Sequence, residues 1–537
     1  MLDLSRFSQL LSSITFLLLL LPATGSAQQP VDADVLFINA RIFDGVLEEP
    51  YTGDIAIKGD RIVAIAKRPE AIEAGRIGWR IDCSGLTLAP GFIDLHNHSD
   101  GYVVKRSTRS ATNFLTQGCT TLLTGNCGSG PIDLKAFEKK IKGAGVGPNI
   151  AHLLPQGNLR KAVVGEERRD ATADEIRQMQ ELAATAMRDG AWGMSTGLIY
   201  VPGTFTSTQE LTAIAKVVGQ HGGFYASHIR SEGKRVLAAV DEAIRIGRDG
   251  HLPVHISHFK STGRDGWGLV REAIRMIEKN RAAGMKITAD QYPYIASSTS
   301  LRATLVPSWV QSGGKTAMVA RLNDPDVAPR VRDAIQASLD KRDGGSRIQI
   351  ARFRPRPDWA GKRLTQIAKM ENSTPLTVVV EILKNGGASI VNFSMQEEDV
   401  RQVMQVPWVA TASDGRAYIP GGDRPHPRNY GTFTRKIGYY AIKEGVISEG
   451  QAIRSATSVP AEIMGVKDRG RIAVDCFADI VVYDQKSIMD RATFDNPHQY
   501  SAGVQHVFVN GTAAVFEGSP TGNRPGRFLK HPGSKKK

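Results

Sequence analysis

The chain alternates short apolar runs with longer stretches of helical periodicity. Runs of strand length fall near 91–96, 120–125, 149–154, 192–196, 224–229, 253–258, 286–292, 389–394 and 408–413. Between them apolar positions recur at helical spacing, as in Asp174–Asp189 and Gly233–Gly247. Strands alternating with helices predict parallel βαβ units and an α/β fold, a (β/α)8 TIM barrel over residues 89–460. The strand candidates exceed eight by one. Residues from about 299 to 370, including Asp326–Lys341, are charged, helical and poor in strand character. They predict an inserted segment near the barrel mouth.

The two ends of the chain follow a different pattern. Val35–Asp44 and Asp54–Ile65 read as strands, with a hairpin at Lys58-Gly59-Asp60. Gly470–Val474, Ala478–Asp484 and Val507–Gly511 read as further short strands. One small β-sandwich domain built from both ends, 28–88 and 461–537, is therefore expected. No internal repeat or long low-complexity segment interrupts the pattern.

Composition changes this picture little: 537 residues, 41% hydrophobic and 23% charged, suffice for a large core. The net charge of +14 invites a nucleic-acid reading. The basic residues are scattered, however, or gathered in the tail from Lys530 to Lys537, and no basic helix is interleaved with aromatics. Nucleic-acid binding is not expected. Arg6, the apolar run Ile14–Leu21 and the small residues Gly25-Ser26-Ala27 form the pattern of a secretory signal over 1–27. The apolar run is shorter than the roughly 20 residues of a membrane span. Export to the periplasm or medium, without a stable membrane anchor, is expected. Export would permit disulfides among Cys83, Cys119, Cys127 and Cys476. A Cys119–Cys127 bond and a Cys83–Cys476 bond stay open as alternatives.

Ionisable residues gather at the ends of the strand candidates. His96 and His98 close the run Phe92-Ile-Asp-Leu, and residues i and i+2 of a strand share a face. Taken alone they could be unrelated polar residues at a strand end. Cys127 follows Thr120–Thr124 in Gly125-Asn-Cys-Gly, His228 closes Phe224-Tyr-Ala-Ser, and His258 closes Pro253-Val-His-Ile-Ser. Asp414 follows Trp408–Ser413. In a parallel barrel these ends meet at one face, where active sites form. Imidazole and thiolate are good zinc ligands, so the series predicts a metal site with zinc as its ion. Asp414 is the candidate general base, although an Asp before Gly is also common in plain turns. Arg428, flanked by proline, could grip a carboxylate in bidentate fashion or be a solvated surface residue. Lys260, two residues past His258, could share its strand face and touch substrate. Tyr292 could contact substrate or simply pack. His221, His251, His255 and His426 fit no role.

Several of these segments together resemble the amidohydrolase superfamily, and within it the N-acyl-D-amino-acid deacylases. Pro90-Gly-Phe-Ile-Asp-Leu-His-Asn-His98 resembles the superfamily's first-strand signature. Gly125–Gly128, Gly193–Tyr200, His228–Glu232, Ser257–Lys260, Asp290–Tyr294, Ser413–Gly415 and Pro425–Arg428 resemble the narrower family in order and spacing, over about 34–532. The resemblance implies zinc-dependent hydrolysis of an amide bond in a small-molecule substrate, an N-acyl-D-amino acid. It implies a tight site at Cys127, His228 and His258, and a second, weaker one at His96, His98 and Asp414. Many relatives bridge two metals with a modified lysine. Met194-Ser-Thr offers none, and the resemblance implies that Cys127 takes that place. It also implies substrate contacts at Tyr292 and Ser298. Two segments depart from the family pattern, the turn Gln156–Arg160 and the long loop Gly415–Pro427, and both are expected near the substrate's side chain or acyl group. A dipeptidase or cyclic-amide hydrolase on the same scaffold is the alternative. A non-catalytic barrel would require a lost ligand or base.

Overall fold

The computed structural model describes residues 30–535. The signal-like segment 1–27 lies outside the described residues, as does the end of the basic tail. No helix among the described residues is long and apolar enough to cross a membrane.

Two parallel sheets carry the centre of the molecule. Phe92–Asp94, Cys119–Thr124 and Asn149–His152 pair in chain order. Leu154–Pro155, Gly193–Gly197, Phe224–His228, Val254–Ile256, Ile287–Gln291 and Val409–Thr411 form a six-stranded sheet, again in chain order and parallel. The sheets meet at Leu153, whose N–H donates to the Thr124 carbonyl at 2.9 Å. Their outer strands also approach each other beyond their C-terminal ends. Asn97 bridges Gly415 in parallel. The Asp414 N–H donates to the His96 carbonyl at 2.8 Å, and the His98 N–H to the Gly415 carbonyl at 2.7 Å. These strands are buried on both faces and read as nearly continuous apolar runs, as parallel strands do.

Amphipathic helices cover the sheets. Ala173–Asp189 begins at a capping box, in which Thr172 and Glu175 satisfy each other's backbone N–H. It buries Met179, Ala183, Ala186 and Met187. The helix expected at Gly233 starts later, at Val236–Gly250. The residues before it form a loop of bends and turns that brings Glu232 to the ends of the strands.

The ninth strand candidate, 389–394, lies outside the parallel sheets. Ser389–Asn392 pairs antiparallel with Ser297–Ser300 on one side and Ile348–Arg352 on the other. A short β-branched run signals a strand but not its partner, and here a separate core decides. Leu301, Trp359, Leu364, Val379 and Ile390 belong to one hydrophobic cluster distinct from that of the parallel sheets. The inserted segment therefore runs from about 297 to 392 rather than 299 to 370, and it contains strands as well as helices.

Both chain ends join one nine-stranded sheet, including Val31–Ile42, Thr87–Pro90, Ile480–Tyr483 and Val504–Val509. Gly470–Val474 does not join it as a strand. Ile472 is buried in the same core, but its N–H donates to the Asp44 carbonyl from a loop. All four cysteines are free and buried, so neither disulfide alternative is present.

Candidate active site

The C-terminal ends of the parallel strands bring six of the expected residues together. Cys127 Sγ lies 3.3 Å from His96 Nε2, 3.7 Å from His228 Nδ1 and 3.6 Å from His258 Nε2. Asp414 Oδ1 lies 3.1 Å from His98 Nε2 and 3.7 Å from His96 Nε2. Three overlapping triads have donor atoms close enough to share one ion: His96, His98 and Cys127; Cys127, His228 and His258; and His96, His258 and Asp414. Cys127 belongs to two of them. The strand-face argument for the two N-terminal histidines is only partly met, because the first strand ends at Asp94. The bridge from Asn97 to Gly415 keeps the following residues extended, so His96 and His98 still converge.

The backbone holds these groups under strain. Cys127 has φ 51°, His258 φ 37° and Asp414 φ 49°. Left-handed conformations of non-glycine residues cost about 1–3 kcal/mol each and persist where surrounding contacts impose them. The Cys127 loop has such contacts. Asn126 Nδ2 donates to the carbonyls of Leu95 and Leu123, and Gly128 N–H donates to Ser195 Oγ at 3.0 Å. Gly197 passes so close that a Cβ there would sit 2.3 Å from the Cys127 carbonyl oxygen. Met194-Ser-Thr thus supplies Ser195 as an anchor for this loop.

A second layer of acids orients the imidazoles. Asp290 accepts from His255 Nε2 at 2.8 Å and from the His258 N–H at 2.7 Å, and it lies 3.4 Å from His96 Nδ1. Glu232 lies 2.9 Å from His258 Nδ1 and also takes the Lys260 ammonium. With Nδ1 held beside Glu232, the His258 ring directs Nε2 toward Cys127. His255, to which the sequence assigned no role, is thus a support beneath His96 and His258.

Charge follows this geometry. Burial would raise the Cys127 thiol, yet His96 and hydrogen bonds from His228, His258 and His96 draw its pKa well below the usual thiol value. Burial would likewise raise Asp414. Arg428 and His96, with the His98 hydrogen bond, hold it well below the usual carboxylate range. Burial works against a charged His98, but Asp414 and Cys127 push its pKa up to about 9. A buried thiolate, four imidazoles and a carboxylate within this span make a donor set that fits zinc.

The expected substrate residues surround this cluster. Arg428, 4% exposed, places Nη1 2.8 Å from Asp414 Oδ2 and donates through Nη2 to the Ser298 carbonyl at 3.2 Å. Its guanidinium lies 4.7 Å from the centre of the Tyr292 ring. The Tyr292 hydroxyl is buried and has no hydrogen-bond partner among the described residues. Lys260 reaches the site by a turn rather than along a strand face, since its strand ends at Ile256. Its Nζ donates to the His258 carbonyl at 2.8 Å. His426 is a buried structural residue. It is 1% exposed, its Nε2 meets the Ala296 carbonyl at 2.8 Å, and its Nδ1 accepts from the Arg428 N–H at 3.0 Å. The turn Gln156–Arg160, expected near substrate, instead backs the Cys127 loop. Asn158 N–H donates to the Gly128 carbonyl, and Arg160 forms a fully buried ion pair with Glu210. The loop after Asp414 does line the site, through Arg416 and Tyr418.

Comparison with known proteins agrees with this geometry. Residues 80–515 match the family described as the amidohydrolase family. The chain belongs to it. It is 33% identical to a D-aminoacylase of Alcaligenes xylosoxydans xylosoxydans, covering 94% of this chain and 98% of that protein. It is 32% identical to an N-acyl-D-glutamate deacylase of the same organism, covering 93% and 97%. An N-acyl-D-glutamate deacylase from Bordetella bronchiseptica, solved with zinc and a phosphonate mimic of the tetrahedral intermediate, superposes with a TM-score of 0.79 at 30% identity, covering 93% of this chain and 100% of that one.

Within this amidohydrolase, Asp290, Glu232 and Tyr200 lie in segments that carry the resemblance, yet sequence reasoning assigned them no role. Tyr200 packs its ring 5.1 Å from that of His228 and shares a hydrogen bond with Thr299 of the inserted segment. Asp290→Asn removes one carboxylate oxygen beneath His96, His255 and His258. It is expected to weaken metal binding about 10–100-fold, measured by competition with a chromophoric chelator. Unchanged affinity would show that Asp290 does not orient the ligands.

Proposed function

We propose that this chain is a zinc-dependent hydrolase of N-acyl-D-amino acids, releasing a carboxylate and a free D-amino acid. The observation that carries the reading is the Cys127 thiolate among three imidazoles, with the ion pair of Asp414 and Arg428 beside it. The names of its relatives support the substrate class and the D configuration. We infer that the two parallel sheets are arcs of one closed (β/α)8 barrel, supported by the Asn97–Gly415 bridge. We infer too that the terminal sheet folds over as a β-sandwich, supported by the contact of Phe37 with Phe508 at 5.2 Å. Export is part of the proposal, on the N-terminal order of basic, apolar and small residues.

In this reading Cys127, His228 and His258 would hold the tight ion, and His96, His98 and Asp414 would surround the weaker site. When bound there, zinc would supply Lewis acidity toward the scissile carbonyl and a water made nucleophilic near neutral pH. Asp414 accepts the proton of the attacking water and passes it to the leaving amine. Arg428 attracts the substrate's α-carboxylate, with the Tyr292 hydroxyl, Lys260 and Ser298 beside it. That carboxylate competes with Asp414 for the same guanidinium. Substrate binding therefore loosens the ion pair that depresses Asp414 and makes it a better base.

Purified, zinc-loaded protein is expected to cleave N-acetyl-D-amino acids and not their L counterparts, with activity lost to a chelator. Cleavage of dipeptides or cyclic amides alone would favour the alternative hydrolase on this scaffold. Asp414→Asn is expected to keep zinc while turnover falls by ~10²–10⁴-fold. A near-normal rate in that variant removes Asp414 from the base role. In Arg428→Gln the Asp414 pKa rises toward its ordinary value, because the cation that favours the carboxylate is gone. The acidic limb of kcat/KM then moves to higher pH. A limb that stays in place would mean that Arg428 does not set the basicity of Asp414.

A further inference from the structure

The opposite end of the parallel strands carries a cavity for which hydrolysis has no use. It holds about 610 Å³ and is lined by Trp192, Phe224, Val254, Lys286 and Trp408. Each of these stands at or just before the first residue of its strand, whereas Cys127, His228 and His258 stand at or beyond the last. The volume suits a small molecule, whose sites span roughly 300–1,000 Å³. Two indoles and the Phe224 ring give the cavity flat apolar walls. Its charges are unequal: Arg281, Lys286 and Arg454 line it against one carboxylate, Glu462. Among the described residues none of these three cations has an ion-pair partner. Arg281 and Arg454 lie in the last turns of their helices, where a cation is favoured. That accounts for their charge but not for two donors. Arg454 Nε and the indole N–H of Trp408 are buried with no acceptor among the described residues, although Trp408 is only 8% exposed. Trp192, by contrast, gives its N–H to the Leu529 carbonyl at 2.9 Å. Buried donors are rarely left unpaired. The Arg281 guanidinium lies 5.6 Å from the centre of the Trp408 ring, so a cation and an indole stand side by side.

The roof of this cavity is the floor of the metal site. His255 and Thr288 line it. Thr288 Oγ1 lies 2.9 Å from His255 Nδ1, and His255 Nε2 lies 2.8 Å from Asp290. Asp290 in turn takes the His258 N–H and faces His96. Guanidinium and indole donors suit a carboxylate, and indole faces suit a flat ring. We propose that this cavity binds an aromatic carboxylate other than the substrate, and that its occupant alters metal affinity through Thr288, His255 and Asp290. Such coupling is reciprocal, so zinc alters the affinity of the cavity by the same factor. The inference stands on the geometry of this end of the strands and holds whatever the enzyme hydrolyses.

The test is calorimetric titration of the zinc-loaded full chain with 2-naphthoate, its neutral amide and inorganic phosphate. Melting temperature and zinc content check the folding of each variant. 2-Naphthoate is expected to bind at least ten-fold more tightly than the amide or phosphate. Its affinity is expected to fall at least ten-fold in Arg454→Gln, to fall less in Lys286→Gln, and to stay unchanged in Arg428→Gln at the other end of the strands. Loss of binding in Arg428→Gln alone would place the carboxylate in the candidate active site and overturn the proposal. Equal binding of the amide or of phosphate, or no binding of 2-naphthoate, also overturns it. Zinc affinity, measured by competition with a chromophoric chelator, is expected to change at least three-fold when 2-naphthoate saturates the protein. Thr288→Val, which keeps the shape of the side chain and removes its hydroxyl, is expected to bind 2-naphthoate but to lose that change. An unchanged zinc affinity in the unmodified chain, or a change that persists in Thr288→Val, overturns the coupling.

Discussion

One buried sulfur sets the terms for the rest of the site. Cys127 Sγ sits within 3.7 Å of three imidazole nitrogens, and the surrounding charges favour its thiolate. Removing an anion from water is costly unless cations or donors replace the solvent. Here imidazoles do so, and a metal ion would complete the compensation. The arrangement also costs strain, because Cys127, His258 and Asp414 all adopt left-handed backbone. Much around them can be understood as keeping that strain in place. Ser195 and Asn126 pin the Cys127 loop, Asp290 takes the His258 N–H, and the His96 carbonyl takes the Asp414 N–H.

Asp94 couples the two ends of this arrangement. Its carboxylate accepts from Ser413 N–H at 2.9 Å and Asn97 Nδ2 at 2.8 Å, and also receives the Ser413 hydroxyl. It thereby ties the exit of the first parallel strand to the exit of the last. The candidate ligands His96 and His98 and the proposed base lie on these two exits, so their separation depends on this clamp. The inserted segment leaves between Ile287–Gln291 and Val409–Thr411 and returns Ser298 and Arg352 to the space beside Asp414. Scaffold, candidate ligands and proposed substrate contacts thus come from distant stretches that meet at the strand ends.

Strand ends carrying ionisable residues were legible because each combined a local apolar run with a terminal His, Cys or Asp. The metal candidates needed no long-range information beyond the inference that parallel strands share a direction. The supporting acids were harder to see. Glu232 lies just before a helix and Asp290 within a strand, and neither spacing nor composition separates them from solvated acids. Their role depends on which imidazole they face, which only the assembled fold determines. The same limit hid the pairing of Ser389–Asn392, whose β-branched run is as compatible with a parallel sheet as with an antiparallel one. Lys260 shows a coincidence of outcome. Strand alternation predicted its proximity to His258, and a turn achieved it instead.

The central claim is that Cys127 is a metal ligand, and X-ray absorption at the zinc edge of the zinc-loaded protein tests it most directly. The expected spectrum contains a sulfur scatterer at about 2.3 Å together with nitrogen or oxygen at about 2.0–2.2 Å. A full complement of zinc with only nitrogen and oxygen neighbours, and a Cys127 thiol still open to alkylation, would contradict the account.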